Sequence, residues 1–234
     1  MSASNDCRKK NVKATQAGFT LVEIAIVLVI IGLLLGGILK GQEMITQAKI
    51  KNIINDFNGV TVAVTSYQDR YRAIPGDDPN ATTRWTTQSP ASGNGNGIVA
   101  GKYNAVVASG APTSAQESNL FWQHLRIAGF VPGLTMGTGS GSAPPNAAGG
   151  IVGVESGDTV AGTGLGFTAL IICFSNLPEK IASAVDGQAD DSNPASGQVR
   201  AQLQTGANPD TAATPGISAY VETGVNQYLL CKNL

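Results

Sequence analysis

From Phe19 to Leu39 the chain runs for 21 residues with a single charged side chain, Glu23. As a helix rising about 1.5 Å per residue, that run covers roughly 30 Å, the thickness of a bilayer's hydrocarbon interior. The preceding residues 1–18 carry Arg8, Lys9, Lys10 and Lys13 against one acid, Asp6. Basic flanks stay on the cytoplasmic side, so the expected topology is one span with residues 1–18 inside and the large C-terminal part outside. A secretory signal peptide would have a shorter apolar core followed by a small-residue cleavage site. Here the run is long, and the small residue, Gly18, precedes it. Charges at membrane depth are rare and usually paired, so Glu23 calls for a partner.

The string Gly18-Phe19-Thr20-Leu21-Val22-Glu23, with lysines upstream and the apolar run downstream, resembles the class III signal of type IV prepilins and type II secretion pseudopilins. This resemblance implies a cut between Gly18 and Phe19 by a prepilin peptidase and N-methylation of Phe19. It also implies an assembly role for Glu23. The Glu23 carboxylate of one subunit would neutralise the Phe19 amine of a neighbour, and a subunit out of register would leave a buried charge unpaired, at a cost of several kcal/mol. The function implied is non-enzymatic: a structural subunit of a type IV pilus-like filament. The alternatives are a type II secretion pseudopilin, a minor pilin, and a membrane-anchored periplasmic binding or enzyme domain. The implied partners are further copies of this chain, other pilin-like subunits, the prepilin peptidase and an inner-membrane assembly platform. The implied location is the bacterial inner membrane with a periplasmic head, then a pilus on the cell surface.

Gly32, Gly36, Gly37 and Gly41 give two small-xxx-small spacings that let helices approach closely. They also weaken the helix by up to about 1 kcal/mol each, and local loss of helicity and plain flexibility both remain open. Beyond Lys40 the apolar residues Ile50, Ile53, Phe57, Val60, Val64, Tyr67 and Tyr71 alternate in spacing between three and four. That is one face of an amphipathic helix, and Pro75-Gly76 ends it. The expected organisation is therefore a leader over 1–18, a long helix over 19–72 with 19–39 in membrane or filament core, and a head over 73–234.

The head is rich in Gly, Ala, Ser, Thr and Asn. Expected strands are Ile151–Glu155, Gly166–Phe174, Gln198–Gln204 and Ser218–Leu230. Expected helices are Ala115–Ile127 and Glu179–Val185, with long Gly-rich loops at 86–97 and 133–150. The fold class is α+β: a long N-terminal helix packed against a small antiparallel sheet, the lollipop shape that the pilin resemblance also implies. Of three cysteines, Cys7 leaves with the leader, and Cys173 and Cys231 remain outside the cytoplasm. By analogy with pilins they are expected to form a disulfide, with two free buried thiols as the other reading.

Asp77 and Asp78, and Asp186, Asp190 and Asp191, lie in oxygen-rich turns. These five are the residues that calcium would use. Neither turn has the full ligand pattern, so capping and turn formation is the reading adopted, and no metal or other cofactor is expected. Gly95-Asn96-Gly97-Ile98-Val99-Ala100 fits a loose dinucleotide fingerprint but follows no strand. The sequence has no Gly-x-Ser-x-Gly elbow, and its one histidine, His124, supplies neither a triad nor a multi-histidine metal site. His124 is read as structural or solvated. Without the leader, eleven basic side chains face fifteen acidic ones. That balance argues against nucleic-acid binding through a broad basic surface.

Overall fold

The computed structural model describes residues 18–107, 110–157 and 163–234. The expected leader, apart from Gly18, lies outside them, as does Cys7. The chain divides into two compact units, the first ending at Ile45 and the second spanning Thr46–Leu234. Helix α1, Leu21–Tyr71, runs through the division.

In the first unit the apolar side chains are exposed: Phe19, ahead of the helix, is 84% exposed, and Ile24, Val27, Ile31 and Leu35 of α1 are all exposed. Among the described residues this is the one helix long and apolar enough to cross a membrane. Lys40 and Glu43 form an exposed ion pair at 2.8 Å, where the chain turns polar.

In the second unit the stripe behaves as its spacing predicts. Ile50, Ile53, Phe57, Val60, Val64 and Tyr67 are buried, joined by Ala63. Tyr71 is half-buried because it lies under Arg84, whose guanidinium carbon stands 4.4 Å from the ring centre. The helix stops where Arg72 takes a left-handed φ of 55°. Pro75 and Gly76 then turn the chain. Gly76 has φ 90°, and a Cβ there would meet the Glu117 carbonyl at 2.6 Å. Only glycine allows that approach.

Strands β1 (Val152–Ser156), β2 (Leu170–Pro178), β3 (Val199–Leu203) and β4 (Gln227–Asn233) form an antiparallel sheet in the order β1-β2-β4-β3. Alternation along β2 sends Ile172 and Phe174 into the same core as Phe57, with the Phe57 and Phe174 ring centres 4.3 Å apart. Ile171 and Cys173 point to the opposite face, where Tyr103, Leu165, Phe167, Leu229 and Cys231 cover them. Between Phe174 and Leu177 a bulge shifts the register, so that both enter the first core. Helices α3 (Glu117–Ile127) and α4 (Glu179–Ala189) complete that core through Phe121, Trp122, Leu125, Ile181, Ala182 and Val185.

The fold is thus α+β, a long N-terminal helix followed by a small antiparallel sheet. The first and third strands fall within a residue of expectation. The second does not begin at Gly166: a 3-10 turn, Gly164–Gly166, precedes it, held by Gly164 N–H donating to Thr211 Oγ1 and Leu165 N–H to the Ala212 carbonyl. The bulge then carries the strand on to Pro178. The fourth strand does not begin at Ser218 either. Residues 218–226 form a loop because their donors are taken by α4: Tyr220 Oη by Asp186 at 2.6 Å, and Thr223 N–H by Glu179 at 2.8 Å. Helix α4 runs one turn beyond the expected Val185. The short helix α2, Ala81–Arg84, was not expected. The segments 86–97 and 133–150 contain no helix or extended strand among their residues.

Candidate functional site

The N-terminal end of α1 places the residues of the expected signal. Gly18, Phe19 and Thr20 are non-helical and exposed, so the Gly18–Phe19 peptide bond stands free ahead of the first turn. Thr20 caps the helix. The Glu23 backbone N–H donates to Thr20 Oγ1 at 3.2 Å, while Glu23 Oε2 accepts from Thr20 N–H and from Thr20 Oγ1–H, both at 2.8 Å. This is a reciprocal capping box. It satisfies donors that the first helical turn leaves unpaired, and in an apolar surrounding unpaired donors are expensive. Glu23 therefore has a local structural task in addition to any role between subunits. The pattern Thr20-x-x-Glu23 was visible in the sequence, and Thr20 is the residue that the sequence reading passed over.

Cys173 and Cys231 are directly opposed on β2 and β4 and form a disulfide, fully buried on the sheet face away from α1. It ties the last strand to the centre of the sheet, closing a separation of 58 residues.

Four buried acids organise the loops that lack secondary structure. The Asp77 carboxylate accepts the N–H groups of Gly95 (2.6 Å), Asn96 (3.2 Å) and Gly97 (2.7 Å). Asp78 accepts from Tyr67 Oη at 2.7 Å, Asn80 N–H at 2.9 Å and Arg84. Burial pushes the Asp78 carboxyl up, but these donors outweigh it and hold the pKa below the usual value. Glu117 accepts the N–H groups of Asn94 and Ala100. Glu155 accepts from Tyr103 N–H and Thr211 Oγ1, and its burial pushes its carboxyl up. The Asp77 and Asp78 carboxylates thus do the work of turn formation.

Asp186, Asp190 and Asp191 sit differently. One carboxylate oxygen from each lies within 4.8 Å of the other two. Burial, with the like charges of Asp191 and Asp190, pushes the Asp186 carboxyl up.

His124 is buried. Its Nδ1 accepts from Gly76 N–H at 3.1 Å, so the proton sits on Nε2, which donates to the Ala91 carbonyl at 2.9 Å. Burial holds its pKa below the ordinary value. Its role is to anchor the turn after α1. Arg126, also on α3, donates to the carbonyls of Ser140 (2.6 Å) and Ser142 (2.7 Å), fastening the loop over 133–150.

Compared with known families, residues 13–39 match the family described as the prokaryotic N-terminal methylation motif. Comparison of the chain with curated proteins gave no match. The motif is the class III signal of type IV pilins and pseudopilins, and residues 13–39 of this chain carry it. Such a signal implies processing by prepilin peptidase, anchoring in a membrane before assembly, and assembly with other pilin-like subunits.

Proposed function

We propose that this protein is a structural subunit of a type IV pilus-like filament. Prepilin peptidase cuts between Gly18 and Phe19, and Phe19 is N-methylated. The helix over 19–39 anchors the subunit in the inner membrane with its head in the periplasm, then passes into the filament interior, where apolar helices pack against one another. Glu23 sets register by pairing with the Phe19 amine of a neighbouring copy, and the subunit ends in a pilus on the cell surface.

The observation that carries this reading is the combination at one helix end: an exposed Gly18–Phe19 bond, a capped Glu23, and a span whose apolar side chains are exposed. In the head, buried carboxylates fix the loops, and that rigidity supports a structural role. The test is the intact mass and N-terminus of the protein purified from its own cells. A chain beginning at singly methylated Phe19 is expected; a chain still beginning at Met1 overturns the proposal.

A further inference from the structure

The sequence contains three Asn-Gly pairs: Asn58-Gly59, Asn94-Gly95 and Asn96-Gly97. In such a pair the side-chain Cγ lies four bonds from the next backbone nitrogen, and glycine leaves that nitrogen uncrowded. The chain itself therefore holds two groups close enough to close a five-membered ring. All three pairs are exposed, so water reaches each of them. Their surroundings differ. Gly59 lies inside α1, where its N–H belongs to the helix ladder. The other two pairs share one buried carboxylate. Asp77 Oδ1 accepts from Gly95 N–H at 2.6 Å, and Asp77 Oδ2 accepts from Gly97 N–H at 2.7 Å. Each asparagine oxygen also has a donor: Asn96 N–H for Asn94 Oδ1 and Ile98 N–H for Asn96 Oδ1, both at 2.9 Å. The loop is pressed onto Asp77, since a Cβ on Gly93 would meet the Asp77 Cα at 2.4 Å.

We propose that Asn94 and Asn96 are self-modifying positions, converted to aspartyl and isoaspartyl residues with Asp77 as their shared general base. A general base must lie within about 2.6–3.2 Å of the group it deprotonates, and both Asp77 oxygens do. A donor about 2.7–3.1 Å from a developing oxyanion stabilises it, and the N–H groups of Asn96 and Ile98 stand at that distance. Gly95 N attacks Asn94 Cγ while Asp77 takes the N–H proton. The new N–Cγ bond closes a succinimide, the Cγ–Nδ2 bond breaks, and the proton held by Asp77 leaves with the amide nitrogen as ammonia. Water then opens the ring. Attack at Cγ leaves an aspartyl residue, and attack at the backbone carbonyl leaves an isoaspartyl residue whose main chain is one carbon longer. Nothing is oxidised or reduced, and Asp77 is regenerated for the same sequence at Asn96 and Gly97. Either product sets a new carboxylate near Asp77 and near Glu117, which accepts Asn94 N–H, so conversion loosens the loop over 86–97 by like-charge repulsion. This proposal stands independently of the filament reading.

The test is peptide mapping by mass spectrometry of the purified full chain, incubated near neutral pH both native and unfolded in urea. Asn58 is the internal reference. Asn94 and Asn96 are expected to convert about tenfold or more faster in the native chain than in the unfolded chain, while Asn58 converts more slowly when native. In oxygen-18 water the products at 94 and 96 should carry the label. Asp77→Asn removes the base. Whether its loop stays closed or opens, conversion at both positions is expected to fall to the unfolded-chain rate or below. Native rates at Asn94 and Asn96 no higher than the unfolded-chain rates overturn the proposal, as does a native rate that Asp77→Asn leaves unchanged.

Discussion

A substitution pair separates the capping task of Glu23 from its proposed pairing with a neighbouring subunit. Glu23→Gln removes the charge but keeps an oxygen able to accept from Thr20, because glutamine also serves in a capping box. Thr20→Ala keeps the charge and removes the cap, whose three hydrogen bonds link Thr20 and Glu23. Loss of such a cap costs about 1 kcal/mol. Loss of one partner of a buried ion pair costs about 3–5 kcal/mol, chiefly because the other charge is left unpaired. At about 1.4 kcal/mol per decade, that lowers the equilibrium constant for adding a subunit by roughly two to four powers of ten. Glu23→Gln should therefore abolish filaments while the cleaved, methylated protein still accumulates in the membrane. Thr20→Ala should reduce filament yield about tenfold or less, by the same conversion. The assay is quantitation of sheared surface material against the membrane pool. Normal filaments from Glu23→Gln, with loss in Thr20→Ala, would show that the carboxylate acts only as a cap and refute the register argument.

Three further outcomes follow from the head. Replacing both Cys173 and Cys231 with serine should lower stability by about 4 kcal/mol in the loop-entropy picture, read from the denaturation midpoint with and without reductant. The His124 pKa is depressed in the fold, so the unfolded chain takes up a proton first as the pH falls. The stability contributed by neutral His124 is complete above the unfolded value of about 6.5 and is lost progressively below it. Urea midpoints should fall between pH 7.5 and pH 5.5, and His124→Gln should flatten that slope. Arg126→Met should destabilise by about 1–3 kcal/mol because the Ser140 and Ser142 carbonyls lose their donor, and proteolysis should then cut first between residues 133 and 142.

The parts of this fold that were legible in the sequence are those set by short-range patterns. The stripe from Ile50 to Tyr67 announced one buried face, and the continuous apolar run through Ile171–Phe174 announced a strand. Strand limits were missed where distant donors decide them. Nothing near Ser218 signals that Glu179 and Asp186 claim the Tyr220–Thr223 segment, and nothing near Gly166 signals that Thr211 and Ala212 hold a 3-10 turn there. Helix α3 buries Asn119, Gln123, His124 and Arg126 as well as its apolar residues, because long loops cover its polar side, and no local pattern signals that cover. The signal at the N-terminus was legible from six residues, while the capping role of Thr20 was equally visible and was missed because the glutamate was read for its charge alone.

The central claim is that this chain polymerises through its N-terminal helix. Electron microscopy of sheared cell-surface material, with mass spectrometry of the same fraction, tests it most directly. The account predicts filaments that contain this chain as a subunit, beginning at N-methylated Phe19 and absent from cells carrying Glu23→Gln. Recovery of the chain solely as a membrane-bound monomer, with filaments unaffected by its deletion, would contradict it.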